Sequence, residues 1–102
     1  MSKESNAAEF PTIKQFLSIP ERQGDKCALS GIPITPQTCS LDHKNPRSMG
    51  GSDDIDNLQL VLPVINRAKG TMTQDQFVAM CHAVARYVDD SYDETWIEWT
   101  AR

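Results

Sequence analysis

The stretch Ser40–Gly70, SLDHKNPRSMGGSDDIDNLQLVLPVINRAKG, decides the fold. It begins with a few strand-like residues that end in the pair Asp42-His43, followed by a loop rich in Pro and Gly. In the next segment, NLQLVLP, Leu58, Leu60 and Leu62 alternate as they would on one face of a strand. VINRAKG then reads as a short helix, and Gly70 is a natural stop because glycine takes positive φ without steric cost. Strand, long loop, strand and short helix make a ββα unit. Three polar positions fall at its junctions: Asp42-His43, Asn57 and Asn66. Neighbours on a strand point to opposite faces, so Asp42 and His43 serve two different surfaces.

The flanks are less distinctive. Residues 1–9 are small, polar and charged, and read as a flexible lead-in. In PTIKQFLSIP, Ile13, Phe16 and Leu17 share a helical face, with Pro11 near the start and Pro20 expected just past the end. ERQGDK reads as a turn, and CALSGIPITPQT as a knuckle or hairpin without a long element. After Gly70, Thr73 and Gln76 form a capping box. Phe77, Met80, Cys81, Val84 and Val88 then recur at helical spacing, which predicts a core-packing helix. His82 lies within it and reads as a structural or solvent-facing histidine.

At 102 residues the chain has room for one modest core. MSKESNAAEF contains no apolar stretch of signal-peptide or membrane-span length, so a cytoplasmic location without membrane contact is expected. Three cysteines, Cys27, Cys39 and Cys81, form no CxxC pair and read as reduced, packed thiols. The net charge of −4 argues against a protein whose main task is coating nucleic acid, since that task relies on an excess of Lys and Arg. The average conceals a gradient. Lys44, Arg47, Arg67 and Lys69 cluster around the ββα unit, whereas Asp89, Asp90, Asp93, Glu94 and Glu98 crowd the C-terminal end.

The 40–70 stretch resembles the HNH motif of the ββα-metal, or His-Me finger, nucleases. The Asp-His pair ends the first strand, Asn57 opens the second, and Asn66 sits on the helix with Lys69 three residues on. The spacings of 14 from His43 to Asn57 and nine from Asn57 to Asn66 are similar to those in the HNH domain of RNA-guided CRISPR effectors. The resemblance implies an α+β fold: a ββα-metal core flanked by a short N-terminal helix and a longer C-terminal one, with residues 10–102 as a single HNH domain. It also implies roles. His43 would be the general base, and Asp42 and Asn66 would each give one oxygen to a divalent metal. Asn57 would hold the loop so that His43 is oriented, and Lys69 would face a phosphate oxygen. Many relatives carry two CxxC pairs around a structural zinc. Here only Cys27 has a counterpart, with Ser30 at the second position and Leu62 and Ile65 at the other pair, so packing in place of zinc is expected.

The chemistry calls for these residue types independently. Phosphodiester hydrolysis needs a base titrating near neutrality, which among unperturbed side chains is His, and positive charge where the phosphorus builds negative charge. Oxygen ligands are hard, so Mg²⁺ or Mn²⁺ suits Asp42 and Asn66 better than zinc does. Lys44, Arg47, Arg67 and Lys69 are the candidate nucleic-acid contacts. Gly50 and Gly51 read as turn residues, and Asp53, Asp54 and Asp56 as a solvated acidic loop.

The expectation is therefore a metal-dependent endonuclease that nicks DNA with low sequence specificity and leaves 5′-phosphate and 3′-hydroxyl ends. A partner would supply the target, as in a phage-type protein working with a terminase. The competing readings are a non-catalytic protein-binding module of the same fold and a nuclease acting on RNA. Trp96, Ile97 and Trp99 either cap the core or dock onto a partner.

Overall fold

The computed structural model describes residues 10–88. The expectations for residues 1–9, and for Trp96, Ile97 and Trp99, lie outside the described residues. The architecture is α+β, in the order α1 (Ile13–Arg22), β1 (Ser40–His43), β2 (Leu58–Val61), α2 (Pro63–Lys69) and α3 (Gln74–Val88), with single 3₁₀ turns at Arg47–Met49 and Ile55–Asn57. The strands pair antiparallel with Ser40 opposite Val61, Leu41 opposite Leu60, Asp42 opposite Gln59 and His43 opposite Leu58. A two-stranded ribbon is marginal alone. Here α1 packs on β2 and α2 on β1, which completes the ββα unit.

The core gathers Ile19 from α1, Cys27 and Ile34 from the knuckle, and Leu58, Leu60, Val61 and Leu62. All four residues of β2 are buried, so the strand is covered on both faces. The expected face of Leu58, Leu60 and Leu62 is thereby corrected: Leu62 lies past the strand, at the N-cap of α2. In the knuckle, Cys27 N–H donates to Ile32 O at 2.7 Å and Gly31 N–H donates to Cys27 O at 2.9 Å. The buried Cys27 Sγ accepts from Leu62 N–H at 3.4 Å, while Ile65 packs against the same cluster.

Two helix expectations are also corrected. Helix α1 starts at a capping box between Thr12 and Gln15, but it runs through Pro20 to Arg22. Ile13 and Leu17 are exposed, and the fully buried residue is Ile19. The reason lies at the helix end. Gln23 Nε2 donates to Leu60 O at 2.9 Å, and Leu60 N–H donates to Gln23 Oε1 at 2.9 Å. The Gln23 amide thus satisfies the outer edge of β2 as a neighbouring strand would, and this attachment sets which side of α1 faces inward.

Helix α3 begins at the expected capping box, with Gln76 N–H donating to Thr73 Oγ1 at 3.1 Å and Thr73 N–H donating to Gln76 Oε1 at 2.9 Å. It is not a core-packing helix within the described residues. Phe77 is buried, but Met80, Cys81, Val84 and Val88 are exposed, as is His82. Helical periodicity reports a face and does not name what covers it. Among the described residues no helix is long and apolar enough to cross a membrane.

The contrast between β2 and α3 is measurable. Leu60→Ala should cost about 2–5 kcal/mol of unfolding free energy, the usual range for emptying a buried leucine site. Val84→Ala should change it by no more than about 0.5 kcal/mol, as expected for a surface position. Urea denaturation of both variants checks this, and a comparable loss in Val84→Ala would show that α3 is packed.

Candidate active site

Asp42 and His43 diverge at the end of β1, as strand geometry requires. Asp42 turns inward and is 5% exposed, lying opposite Gln59. Its Oδ2 accepts from Gln59 Nε2 at 2.8 Å and its Oδ1 from Lys69 Nζ at 3.1 Å. Lys69 is 1% exposed and also donates to the His43 carbonyl at 2.9 Å. The expectation that Lys69 faces a phosphate oxygen does not match this position. Its ammonium is spent inside the protein, joining the last turn of α2 to two consecutive residues of β1.

Asn57 clamps the loop. Its Oδ1 accepts from Asn45 N–H at 3.0 Å, and its Nδ2 donates to the carbonyls of Asn45 at 3.0 Å and Ser52 at 2.7 Å. One side chain thus fixes both ends of the connection after His43. Its main-chain carbonyl accepts from Lys44 N–H at 2.8 Å, and Lys44 O in turn accepts from Gln74 N–H at 2.8 Å, which ties the start of α3 to the same point. The Gly pair is needed for shape. Gly50 has φ +90°, and a Cβ on Gly51 would collide with the Asn45 carbonyl.

Asn66 reaches from α2 to β1, where its Nδ2 donates to Ser40 Oγ at 2.6 Å and, more weakly, to Leu41 O at 3.4 Å. Both partners consume the NH₂ side of the amide, so Oδ1 is the atom suited to a ligand. Asp42, His43 and Asn66 line one open cleft of about 310 Å³ together with Leu41, Pro46, Arg47, Ser48, Gly70 and Thr71. The basic residues are divided. Lys44 and Arg67 are exposed, Lys69 is buried, and Arg47 lines the cleft while its guanidinium lies 5.6 Å from the Phe10 ring centre.

One side chain at the site was read differently from sequence. Asp53, grouped there with the solvated acidic loop, is 14% exposed at its side chain, and its Oδ1 lies 2.7 Å from His43 Nε2. The same oxygen accepts from Arg47 Nε at 3.0 Å and lies 2.9 Å from Arg47 Nη2. The His43 hydrogen bond, followed by Arg47, holds the Asp53 carboxyl below the usual aspartate value despite an opposing contribution from burial. The loop folds back through Gly50 and Gly51 and is clamped by Asn57, which returns a carboxylate ten residues past His43 to the ring; the run of Asp53, Asp54 and Asp56 does not by itself mark which of the three this is.

A model of the HNH endonuclease family matches residues 24–71, a span containing the knuckle, both strands, α2 and every residue of the cleft. Residues 24–71 belong to the HNH endonuclease family. A search of the curated proteins finds no match to the chain. The match points to a nuclease-type function for the HNH domain and implies DNA as its substrate class.

The Lys69 arrangement makes a direct prediction. Lys69→Met removes the ammonium and leaves the buried Asp42 carboxylate without its cation, which typically costs about 3–5 kcal/mol. Thermal or urea unfolding should register this as one of the most damaging substitutions in the HNH domain, and an unchanged midpoint would remove Lys69 from its structural role.

Proposed function

We propose that this HNH domain hydrolyses DNA phosphodiester bonds with the help of a divalent metal, nicking one strand at a time. The supporting observation is that Asp42, His43 and Asn66, drawn from β1 and α2, line a single cleft. In this reading His43 takes a proton from the attacking water while the water oxygen bonds to phosphorus, the bond to the 3′ oxygen breaks, and the departing 3′ oxygen takes up a proton from solvent water. The products are 5′-phosphate and 3′-hydroxyl ends.

The donor set suits Mg²⁺ or Mn²⁺. A carboxylate offers about four lone-pair sites, so Asp42 keeps acceptor capacity beyond Lys69 and Gln59, and the Asn66 amide contributes its Oδ1. Magnesium sites commonly use only one or two protein oxygens, with water and substrate phosphate completing the shell. When bound there, the ion would supply positive charge to the phosphate and to the leaving oxygen. The protein's own residues do the remaining work: Lys69 holds Asp42 at the cleft wall, Asn57 holds the loop that carries His43, and exposed Lys44 and Arg67 would meet backbone phosphates.

The further reading of a partner that supplies the target, of the terminase kind, is supported by the apolar side chains that α1 and α3 leave exposed. A binding module without catalysis would use the same surfaces, and activity separates the two.

Supercoiled plasmid should be converted to the open circle by the protein with Mg²⁺ or Mn²⁺. The conversion should stop with EDTA and fall at least about 10²-fold in His43→Ala, in keeping with loss of a general base. A folded protein that leaves the plasmid intact in every metal would contradict the reading.

A further inference from the structure

We propose that Asp53 is a positioning residue for His43, holding the imidazole with its proton on Nε2 so that Nδ1 carries the lone pair that accepts a proton. The inference rests on the reading of His43 as the general base and extends it to a residue outside the HNH pattern that identified the site.

The geometry supplies the argument. An ionised carboxylate only accepts hydrogen bonds, so a 2.7 Å contact between Asp53 Oδ1 and His43 Nε2 requires the proton to sit on Nε2. A neutral imidazole then has one remaining lone pair, on Nδ1. The carboxylate is kept in its accepting form by Arg47, which contacts the same oxygen through Nε at 3.0 Å and Nη2 at 2.9 Å. Arg47 has a second effect. A bare carboxylate beside the cleft would repel a nucleic-acid phosphate, and the guanidinium offsets that charge.

Asp53 also occupies the place a positioning group should. His43 and Arg47 line the cleft, whereas Asp53 is not among its walls and contacts the ring from outside it. Asp53 is itself held by the architecture. The neighbouring Ser52 carbonyl accepts from Asn57 Nδ2 at 2.7 Å, and the clamp that shapes the loop therefore also delivers the carboxylate to His43. The arrangement follows the logic of a base oriented by a third group, in which the orienter fixes the tautomer and does not itself react.

The test uses the full chain labelled with ¹⁵N, observed at alkaline pH so that the ring tautomers can be read. The chain has two histidines, so His43 and the exposed His82 serve as site and internal reference. In the wild type, His43 should show a pyrrole-type Nε2 with an exchange-protected ring proton and a pyridine-type Nδ1, while His82 shows tautomer averaging. Asp53→Ala should lose the protected proton and give His43 the averaged pattern of His82. Asp53→Glu should restore part of it. On plasmid, Asp53→Ala should lower kcat about 10²-fold, the effect of misplacing a catalytic group by about an ångström, with KM unchanged.

A wild-type His43 without a protected Nε2 proton overturns the proposal, and this result needs no variant to fold. Identical ring spectra in wild type and Asp53→Ala, or an unchanged kcat once the proton is lost, overturn it too. Failure of the wild type to nick would instead sink the hydrolytic reading, and the ring spectra would still decide whether Asp53 holds His43.

Discussion

The site depends on a buried ammonium. Lys69 reaches from the end of α2 to the Asp42 carboxylate and the His43 carbonyl, so one side chain fixes two successive residues of β1. Because these residues point to opposite sides of the strand, fixing their shared backbone fixes the relation between the inward carboxylate of Asp42 and the imidazole of His43. A lysine at 1% exposure is tolerated because its partners are a carboxylate and a carbonyl, leaving no uncompensated charge. Gln59 completes the arrangement by occupying the second carboxylate oxygen from the facing strand.

Around this point the domain is assembled from small attachments, since a two-stranded sheet and short helices bury little surface. The Gln23 amide closes the edge of β2, Asn57 closes the loop, and Asn66 ties α2 to Ser40. Each is a polar side chain bonded to main chain or to a facing side chain, and each leaves the cleft open. Rigidity is thereby concentrated in the unit that carries Asp42, His43 and Asn66, the condition under which a catalytic group can be held within hydrogen-bond reach of its substrate.

The ββα unit was legible in sequence because it is local. Strand alternation, Gly70 and the spacing of His43, Asn57 and Asn66 all lie within one short stretch, and the capping boxes at Thr12 and Thr73 are four-residue signals. What was not legible depends on contacts distant in sequence. The inward side of α1 follows from Gln23 meeting Leu60, 37 residues away, which amphipathic spacing cannot foresee. The burial of Lys69 depends on Asp42, 27 positions earlier. Asp53 could be distinguished from Asp54 and Asp56 only after the loop had folded back. Helix α3 shows the opposite limit: its apolar repeat is real, but among the described residues only Phe77 finds a core.

The proposed hydrolysis calls for a divalent ion at the cleft of Asp42 and Asn66. The most direct measurement is titration of ¹⁵N-labelled protein with sub-stoichiometric Mn²⁺, whose paramagnetism broadens the amide signals nearest the bound ion. The account predicts that broadening begins at Leu41, Asp42, His43 and Asn66 and is reversed by excess Mg²⁺. Broadening centred on Asp54 and Asp56, which border a different depression with Asn45 and Gly51, would place the ion in the acidic loop and contradict the claim.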